Sequence, residues 1–568
     1  MPSIRIQNFG GIAPRMSPRL LAAGAALRAE LTKLWSGEVR PFIEKAQIDV
    51  PLVQGCMAKT IYKFKDVWLS WCMDVDIVTG FTLDRGSERL YYTGDGGPKI
   101  TTYPLAVASL PTPANSIDLG VPQPLLPPIL GTPTGTAGTP QLRYYVYTWY
   151  TKFDEESVPS PPSVGINVSD GQSVPVKIPV ADLTVPSNVS TVRLYRTNGG
   201  PFLFVSETPI ETLQANPVVT DAVKNLGLGE AIISTTFYPP PNKIQGLIGL
   251  SSGSFAAFYD NRVVFSEPYQ PHAWPPEYEK IFDYPVVALG TYGNTLVVAT
   301  TGYTYLVSGI DPRSLSVDRV PDPYPCVSKR SMVSADRGVV YASAEGLVFV
   351  GLGGTQVLTR GLLTREEWQQ FNPTTMHGVI FDGRYFGFHE TTHYFGADEE
   401  VVPAGGGFIF DFNDRTVLGL DDSSDLNRDD KLITIPYYAS ATFANPVTSL
   451  HLVINPTLKS NELFKWEGGV GFETYVWRSK QYAFPFEVSF AGAKVTRQCA
   501  GEQTLKFRLV DGECGKTLFE RDVLTNRPFR LPSRHGRTDW IVEIEGTANV
   551  QEIHVSTSFA DLAEGQAQ

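Results

Sequence analysis

The chain has 568 residues, too many for one hydrophobic core, and this size predicts three to four domains. Hydrophobic residues make up 42% and charged residues 19%, a globular balance that excludes wholesale disorder. The formal net charge of −12 excludes a surface that grips nucleic acid through its phosphates, yet suits an acidic wall past which DNA slides without sticking.

In chain order, residues 1–110 form an N-terminal segment expected to contribute strands to a propeller. Ser17-Pro18 and the Ala/Leu/Arg/Glu stretch running to Leu34 predict a helix, because Ser caps, Pro suits the first turn and the following residues favour helix. From Pro111 to Gly138 the chain is rich in Pro, Thr and Gly and reads as a loop or linker. Strand patterns come next at Leu142–Tyr150, Val192–Thr197 and Phe202–Val205, closing near Tyr238-Pro239-Pro240-Pro241. Short alternating strands of this kind predict one β-sandwich over residues 111–240. The order "YYVYTWYT…ESVPSPPS…VRLYRT" resembles fibronectin type III-like modules, which implies a spacer or docking role.

Residues 241–431 carry a loose repeat. Turn signals at Tyr259-Asp260-Asn261-Arg262, Tyr292-Gly293-Asn294-Thr295, Ala335-Asp336-Arg337-Gly338 and Phe381-Asp382-Gly383-Arg384 each precede an apolar strand. They recur roughly every 33 to 46 residues, the spacing of four-stranded propeller blades. Within this region Thr364 predicts a cap for a short helix between Leu363 and Phe371. Residues 432–568 read as a C-terminal β-rich domain partly closing the propeller, with aromatic strands such as Leu463-Phe464-Lys465-Trp466 and Thr474-Tyr475-Val476-Trp477. The expected fold class is therefore mostly β: a β-propeller core, an inserted fibronectin type III-like or Ig-like β-sandwich and a C-terminal β-rich region.

Motifs that resemble chemistry fail on local context. His389-Glu390-Thr391-Thr392-His393 spells HExxH, but a zinc protease needs it on a helix. Here Gly, Thr and aromatic neighbours favour a strand, where the two imidazoles stand about 13 Å apart. Gly249-Leu250-Ser251-Ser252-Gly253 fits a nucleophile elbow, yet the residues from Phe255 to Arg262 read as strand and turn where the elbow needs a helix. Gly515-Lys516-Thr517 lacks the first P-loop glycine, Val510 standing in its place. The acidic stretch Asp425-Leu426-Asn427-Arg428-Asp429-Asp430 lacks the Gly and the final Glu of a calcium loop. Arg193, Arg196, Arg527, Arg530, Arg534 and Arg537, the last four around His535, suit phosphate or subunit salt bridges equally. No catalytic, cofactor-binding or metal residue is assigned, no cofactor is expected, and the chain reads as a non-enzyme.

Five scattered cysteines, Cys56, Cys72, Cys326, Cys499 and Cys514, without CxxC spacing, predict reduced thiols and cytoplasmic assembly. Cys499 and Cys514 are placed to face each other across a hairpin. No apolar run of about 18 residues exists, so no membrane-spanning helix is expected. The opening Met1-Pro2-Ser3-Ile4-Arg5 lacks the pattern of a secretory leader.

The opening segment Asn8-Phe9-Gly10-Gly11-Ile12-Ala13-Pro14-Arg15, followed by Trp35-Ser36-Gly37-Glu38-Val39-Arg40-Pro41, resembles tail nozzle (tail tubular B-type) structural proteins of short-tailed bacteriophages. The C-terminal order "LFKWEGG…YVWRSK…FRLP…DW" is similar to such proteins as well. The resemblance implies a homohexameric ring with a propeller in each subunit and a central channel that retains and ejects DNA without reading its sequence. Its implied partners are further copies of the chain, a tail adaptor on the portal side, and tail fibres or a needle. It implies residence in the virion tail after assembly in the host cytoplasm. A carbohydrate- or receptor-binding propeller and sandwich, resting on the many Trp and Tyr residues, is the alternative. A secreted hydrolase using the HExxH segment is the third reading.

Overall fold

A computed structural model describes residues 2–81, 88–391, 394–395, 401–402, 404–411, 431–445, 448–498, 503–532 and 536–564. The chain forms two compact units: one from Met1–Asp74, Gly290–Leu306 and Asp318–Gln568, the other from Val75–Leu289 and Val307–Val317. The fold is mostly β, and its repeating element is the four-stranded propeller-type blade.

In the second unit, strands Asp76–Thr79, Arg89–Thr93, Lys99–Thr102 and Ile117–Asp118 pair in chain order as an antiparallel meander. Gln245–Gly249, Phe255–Tyr259, Arg262–Phe265 and Glu279–Ile281 form a second. Tyr91, Ile100, Leu247 and Phe255 share one core. The residues between these meanders in the chain fold into small sheets with a separate core. Tyr145–Thr151, Val189–Thr197 and Phe202–Pro209 make one sheet, and Ile129–Leu130, Val174–Lys177 and Val218–Asp221 another. Tyr147, Trp149, Val168, Val176 and Leu194 fill the space they enclose. Arg196 and Asp221 lie in this sandwich with fully buried side chains, Nε to Oδ2 at 2.9 Å.

In the first unit the meander Val333–Ala335, Gly338–Ser343, Gly346–Gly351, Gly354–Val357 is followed by His377–Phe381, Arg384–Glu390, Gly405–Asp411, Lys431–Ile435. The second set extends through Ala26–Glu30 into Tyr475–Ser479, Arg537–Gly546, Leu505–Asp511 and Thr517–Asp522, making a ten-stranded sheet with Tyr482–Val488 paired to one side. Ala441–Asn445, Ser449–Ile454 and Glu462–Lys465 are completed by Ala46–Ile48, with Ile48 opposite Leu463. Ser3–Ile6 lies along Val550–Ser556, with Ile4 opposite Val555. All four predicted turns connect paired or consecutive strands. At Asp382-Gly383 both φ angles are positive, 50° and 70°, the two-residue hairpin conformation whose twist matches the flanking strands.

The predicted helix between Ser17 and Leu34 is absent: turns precede strand Ala26–Glu30. Tertiary pairing overrides propensity here. Ala26 and Ala29 are fully buried, small enough for the strand to sit between Lys431–Ile435 and Tyr475–Ser479. The Asn8–Arg15 segment is locked beside it. Phe9 meets Trp477 edge-on at 4.9 Å, and the Trp477 indole donates to the Gly10 carbonyl at 3.1 Å. A Cβ on Gly24 would fall 2.1 Å from the Asn8 carbonyl oxygen, so the backbone must move to admit one. Gly24→Ala is expected to destabilise the first unit by about 1–3 kcal/mol, read from its denaturant midpoint. An unchanged midpoint would mean that the contact relaxes freely.

The short helix does form. Arg365–Gln369 is capped by Thr364, whose hydroxyl accepts from Glu367 N at 3.2 Å while the Glu367 carboxylate accepts from Thr364 N at 2.7 Å.

The expectation of reduced thiols is corrected at one pair, because Cys56 and Cys72 form a disulfide with Cα atoms 5.9 Å apart. The hairpin Thr60–Phe64 and Val67–Trp71 places Thr60 opposite Trp71, which brings the flanking cysteines together. Asn461 fastens the same loop, accepting from Ala58 N at 2.7 Å and donating to the Cys56 carbonyl at 2.8 Å. Cys326 is buried and Cys514 exposed, both as free thiols. Cys499 lies outside the described residues. For a loop of this length, Cys72→Ser is expected to cost about 3 kcal/mol, and a melt in reductant should reproduce that loss in the parent chain but leave the variant unmoved.

Candidate functional site

Three stretches distant in sequence build a cleft of about 280 Å3 in the first unit. Thr32–Lys33 and Arg40–Pro41 pair as a hairpin, and Trp35 and Ser36 stand in the loop it closes. The Asp382-Gly383 turn sets Phe381 on one strand and Arg384 and Phe386 on the next. Trp466 and Glu467 follow strand Glu462–Lys465.

The floor is aromatic. Phe42, Phe386 and Trp466 are buried, with Phe42 at 5.0 Å and Phe386 at 5.7 Å from the Trp466 ring centre, both edge-on. Such contacts hold the rings beyond what their buried area contributes. Trp35 is half-buried and lines the cleft, with the Arg384 guanidinium 4.0 Å from its ring centre, a cation–π contact.

The rim is charged, and its charges are paired. Arg384 reaches Asp411 at 3.2 Å and also bridges Asp382. Lys33 bridges Glu467 and lies 5.0 Å from the Phe42 ring centre. Arg40 binds Glu38 at 2.7 Å, and this hydrogen bond holds the Glu38 carboxyl below its ordinary range. Burial pushes the Asp411 carboxyl upward, against the pull of Arg384. The arrangement presents fixed donors and acceptors above an apolar floor. Ser36 supplies the one hydroxyl of its lining, and Lys33, Arg40, Arg384, Asp382 and Glu467 supply its charged groups.

The residues singled out by sequence lie elsewhere. His389 sits on strand Arg384–Glu390, opposite Gly406. It packs edge-on against Phe371 at 5.3 Å, and burial pushes it down to about 4. It is a core histidine. His393 lies outside the described residues. Gly249 ends a strand and Phe255 begins the next, so the GxSxG segment is strand, turn and strand. Gly515 lies in the turn from Leu505–Asp511 to Thr517–Asp522, its N–H donating to the Asp511 carbonyl at 2.9 Å. The Asp425–Asp430 loop lies outside the described residues. Among the described residues no group of three or more His, Cys, Asp or Glu is placed to hold a metal.

The arginines are engaged within the fold, Arg193 with Glu156 and the Tyr150 ring besides Glu207. Arg193 binds Glu207 at 2.8 Å, Arg537 binds Asp511 at 2.7 Å, and Arg530 covers the Phe559 ring. Arg534 and His535 lie outside the described residues. No helix among the described residues is long and apolar enough to cross a membrane. The cleft itself escaped sequence reasoning. Trp466 stood in an aromatic strand pattern and Trp35 in the opening segment, but nothing local joins them.

Neither a family model nor a curated protein matches this chain. Among solved structures, BBS1N in complex with ARL6DN is 9% identical, covering 76% of this chain and 99% of that one, with a TM-score of 0.28. The N-terminal domain of Nup159 is 10% identical over 62% and 86%, with a TM-score of 0.26. Hsv2 of Kluyvelomyces marxianus is 9% identical over 54% and 88%, with a TM-score of 0.20. At these scores the likeness carries no weight; the description of the blades rests on strand pairing.

Proposed function

We propose that this chain is a structural component of a bacteriophage tail, of the nozzle type, which assembles as a ring around a channel for DNA. The observation that carries the reading is the resemblance of the opening segment, Asn8–Arg15, to tail nozzle proteins. Its residues are held by packing, with Phe9 buried against Trp477 and Gly10 bonded to Gly24 at 2.7 Å. Rigid β-blades suit a mechanical role, and the net charge of −12 suits a lumen that DNA must leave without sticking. The Cys56–Cys72 disulfide is compatible with a particle assembled in a cytoplasm and then released from it.

On this reading the protein acts without catalysis, and its partners are its own copies, a tail adaptor, and fibres or a needle. Electron microscopy of the purified full chain under assembly conditions is the test. Closed rings with an open pore, sixfold in averaged images, are expected. Only monomers, both in solution and in tail particles, would sink the proposal.

A further inference from the structure

We propose that the cleft bounded by Trp35, Arg384 and Trp466 is a binding site for a neutral pyranose sugar, held as a terminal or single residue. The site stands on its own geometry and does not depend on the tail reading.

Size comes first. At about 280 Å3 the cleft lies just below the range of roughly 300–1,000 Å3 that drug-sized ligands occupy, which selects a ligand of about one ring. Composition comes second. The half-buried Trp35 indole, with the Arg384 guanidinium over one face and the buried Phe42, Phe386 and Trp466 rings behind the cleft, offers a flat apolar surface whose negative π-face attracts C–H groups. One side of a pyranose presents such a C–H surface, while its edge carries hydroxyls.

Charge decides between ligand classes. Phosphate, sulfate or a carboxylate needs cations whose charge is not already met. Here Arg384 is paired with Asp382 and Asp411, Lys33 with Glu467, and Arg40 with Glu38. A wholly apolar ligand would bury those pairs without replacing their water. A neutral polyol satisfies both demands. Its hydroxyls accept from guanidinium and ammonium groups and donate to the carboxylates, while its carbon face lies on the Trp35 ring. Because the ion pairs hold the rim groups in place, little ordering cost remains to be met on binding.

Saturation-transfer NMR on the full chain tests this, using the methyl glycosides of glucose, galactose, mannose and N-acetylglucosamine, with inorganic phosphate as the charged comparison. At least one glycoside is expected to bind, with saturation strongest on its C–H protons. Trp35→Ala should weaken that binding tenfold or more, and Trp35→Phe should keep part of it. Ser36→Trp, at an exposed position, should abolish binding by filling the cleft without removing a buried group, and circular dichroism checks that each variant is folded. Binding of phosphate in place of sugar, binding unaffected by Ser36→Trp, or no glycoside binding at all would each overturn the proposal. Rings without sugar binding, or sugar binding without rings, would separate its fate from that of the tail reading.

Discussion

Asp221→Ala is expected to destabilise the second unit by about 3–5 kcal/mol, the usual result of removing one member of a buried ion pair. Asp221 holds three groups, one by an ion pair and two by hydrogen bonds. Arg196 reaches Oδ2 at 2.9 Å, the Tyr145 hydroxyl donates to the same oxygen at 2.8 Å, and Val223 N donates to Oδ1 at 2.9 Å. Burial, reinforced by the Asp221 charge, holds the Tyr145 hydroxyl protonated far above its usual range. With the carboxylate gone, Arg196 keeps its bonds to the Val223 carbonyl and to Asn225 but loses its buried counter-charge. Arg143, 1% exposed, stands nearby with Asp170 at 3.8 Å. Two guanidinium groups would then share a core with too little negative charge.

Hydrogen exchange on peptides spanning residues 140–225 measures the loss where it occurs. Replacing both partners with apolar residues, Arg196→Met with Asp221→Leu, should recover most of it, since the cost comes from the stranded charge more than from a missing attraction. A loss of less than about 0.5 kcal/mol for Asp221→Ala, the size of a typical surface change, would show that water reaches the pair.

Acid should weaken the first unit before the second. His377 is buried with neither ring nitrogen partnered among the described residues. Burial, then the Arg330 charge and His389, pushes its protonation well below the ordinary range, and burial pushes His389 down to about 4. In the unfolded chain a histidine takes its proton near pH 6.5. Between those values the unfolded state binds more protons, so stability falls as pH falls. The contribution is fully present above about 6.5, and full protonation of His389 removes about 3 kcal/mol.

Each unit has an opposing carboxyl, Asp411 in the first, which burial pushes upward, and Glu155 in the second, whose shift is the larger. His272 is likewise pushed down to about 4 by burial, but burial pushes the Glu155 carboxyl up to about 7, with Arg89 pulling it back. That carboxyl binds its proton in the folded state first, so it adds stability as pH falls from about 7 toward its unfolded value. The two effects offset each other. Calorimetry from about pH 7.5 to 5, with exchange mass spectrometry to assign each transition, should show the first unit's midpoint falling while the second's barely moves. His389→Phe should reduce the first unit's dependence without abolishing it, because His377 and His451 are pushed in the same direction by burial. Parallel shifts in both units would contradict this assignment of the titrating groups.

The turns and the short helix were legible in sequence because their determinants are local. Asp260-Asn261 and Asp382-Gly383 specify hairpins by themselves, and Thr364 with Glu367 specifies a cap. The stretch from Ser17 to Leu34 misleads for a physical reason. Its alanines favour a helix in isolation, yet Ala26 and Ala29 are chosen for smallness inside a crowded sheet. The Cys56–Cys72 bridge depends on the hairpin register between them, visible only once Thr60 is known to face Trp71. The cleft was hidden more deeply, since Trp35, Arg384 and Trp466 belong to segments far apart in the chain. Their meeting follows from the sheet order, which no local pattern carries.

That sheet order also dictates a timetable. The strand Ala46–Ile48 waits for Glu462–Lys465, and Ser3–Ile6 waits for Val550–Ser556, so these strands are made several hundred residues before their partners. The sandwich core, by contrast, is complete once the chain has passed Leu228. Loop-closure entropy makes such distant pairings slow, and unpaired strand edges invite association in the meantime. The first unit is therefore the part of the molecule most exposed to misassembly during synthesis, and the part for which a chaperone or a partner's edge would matter most.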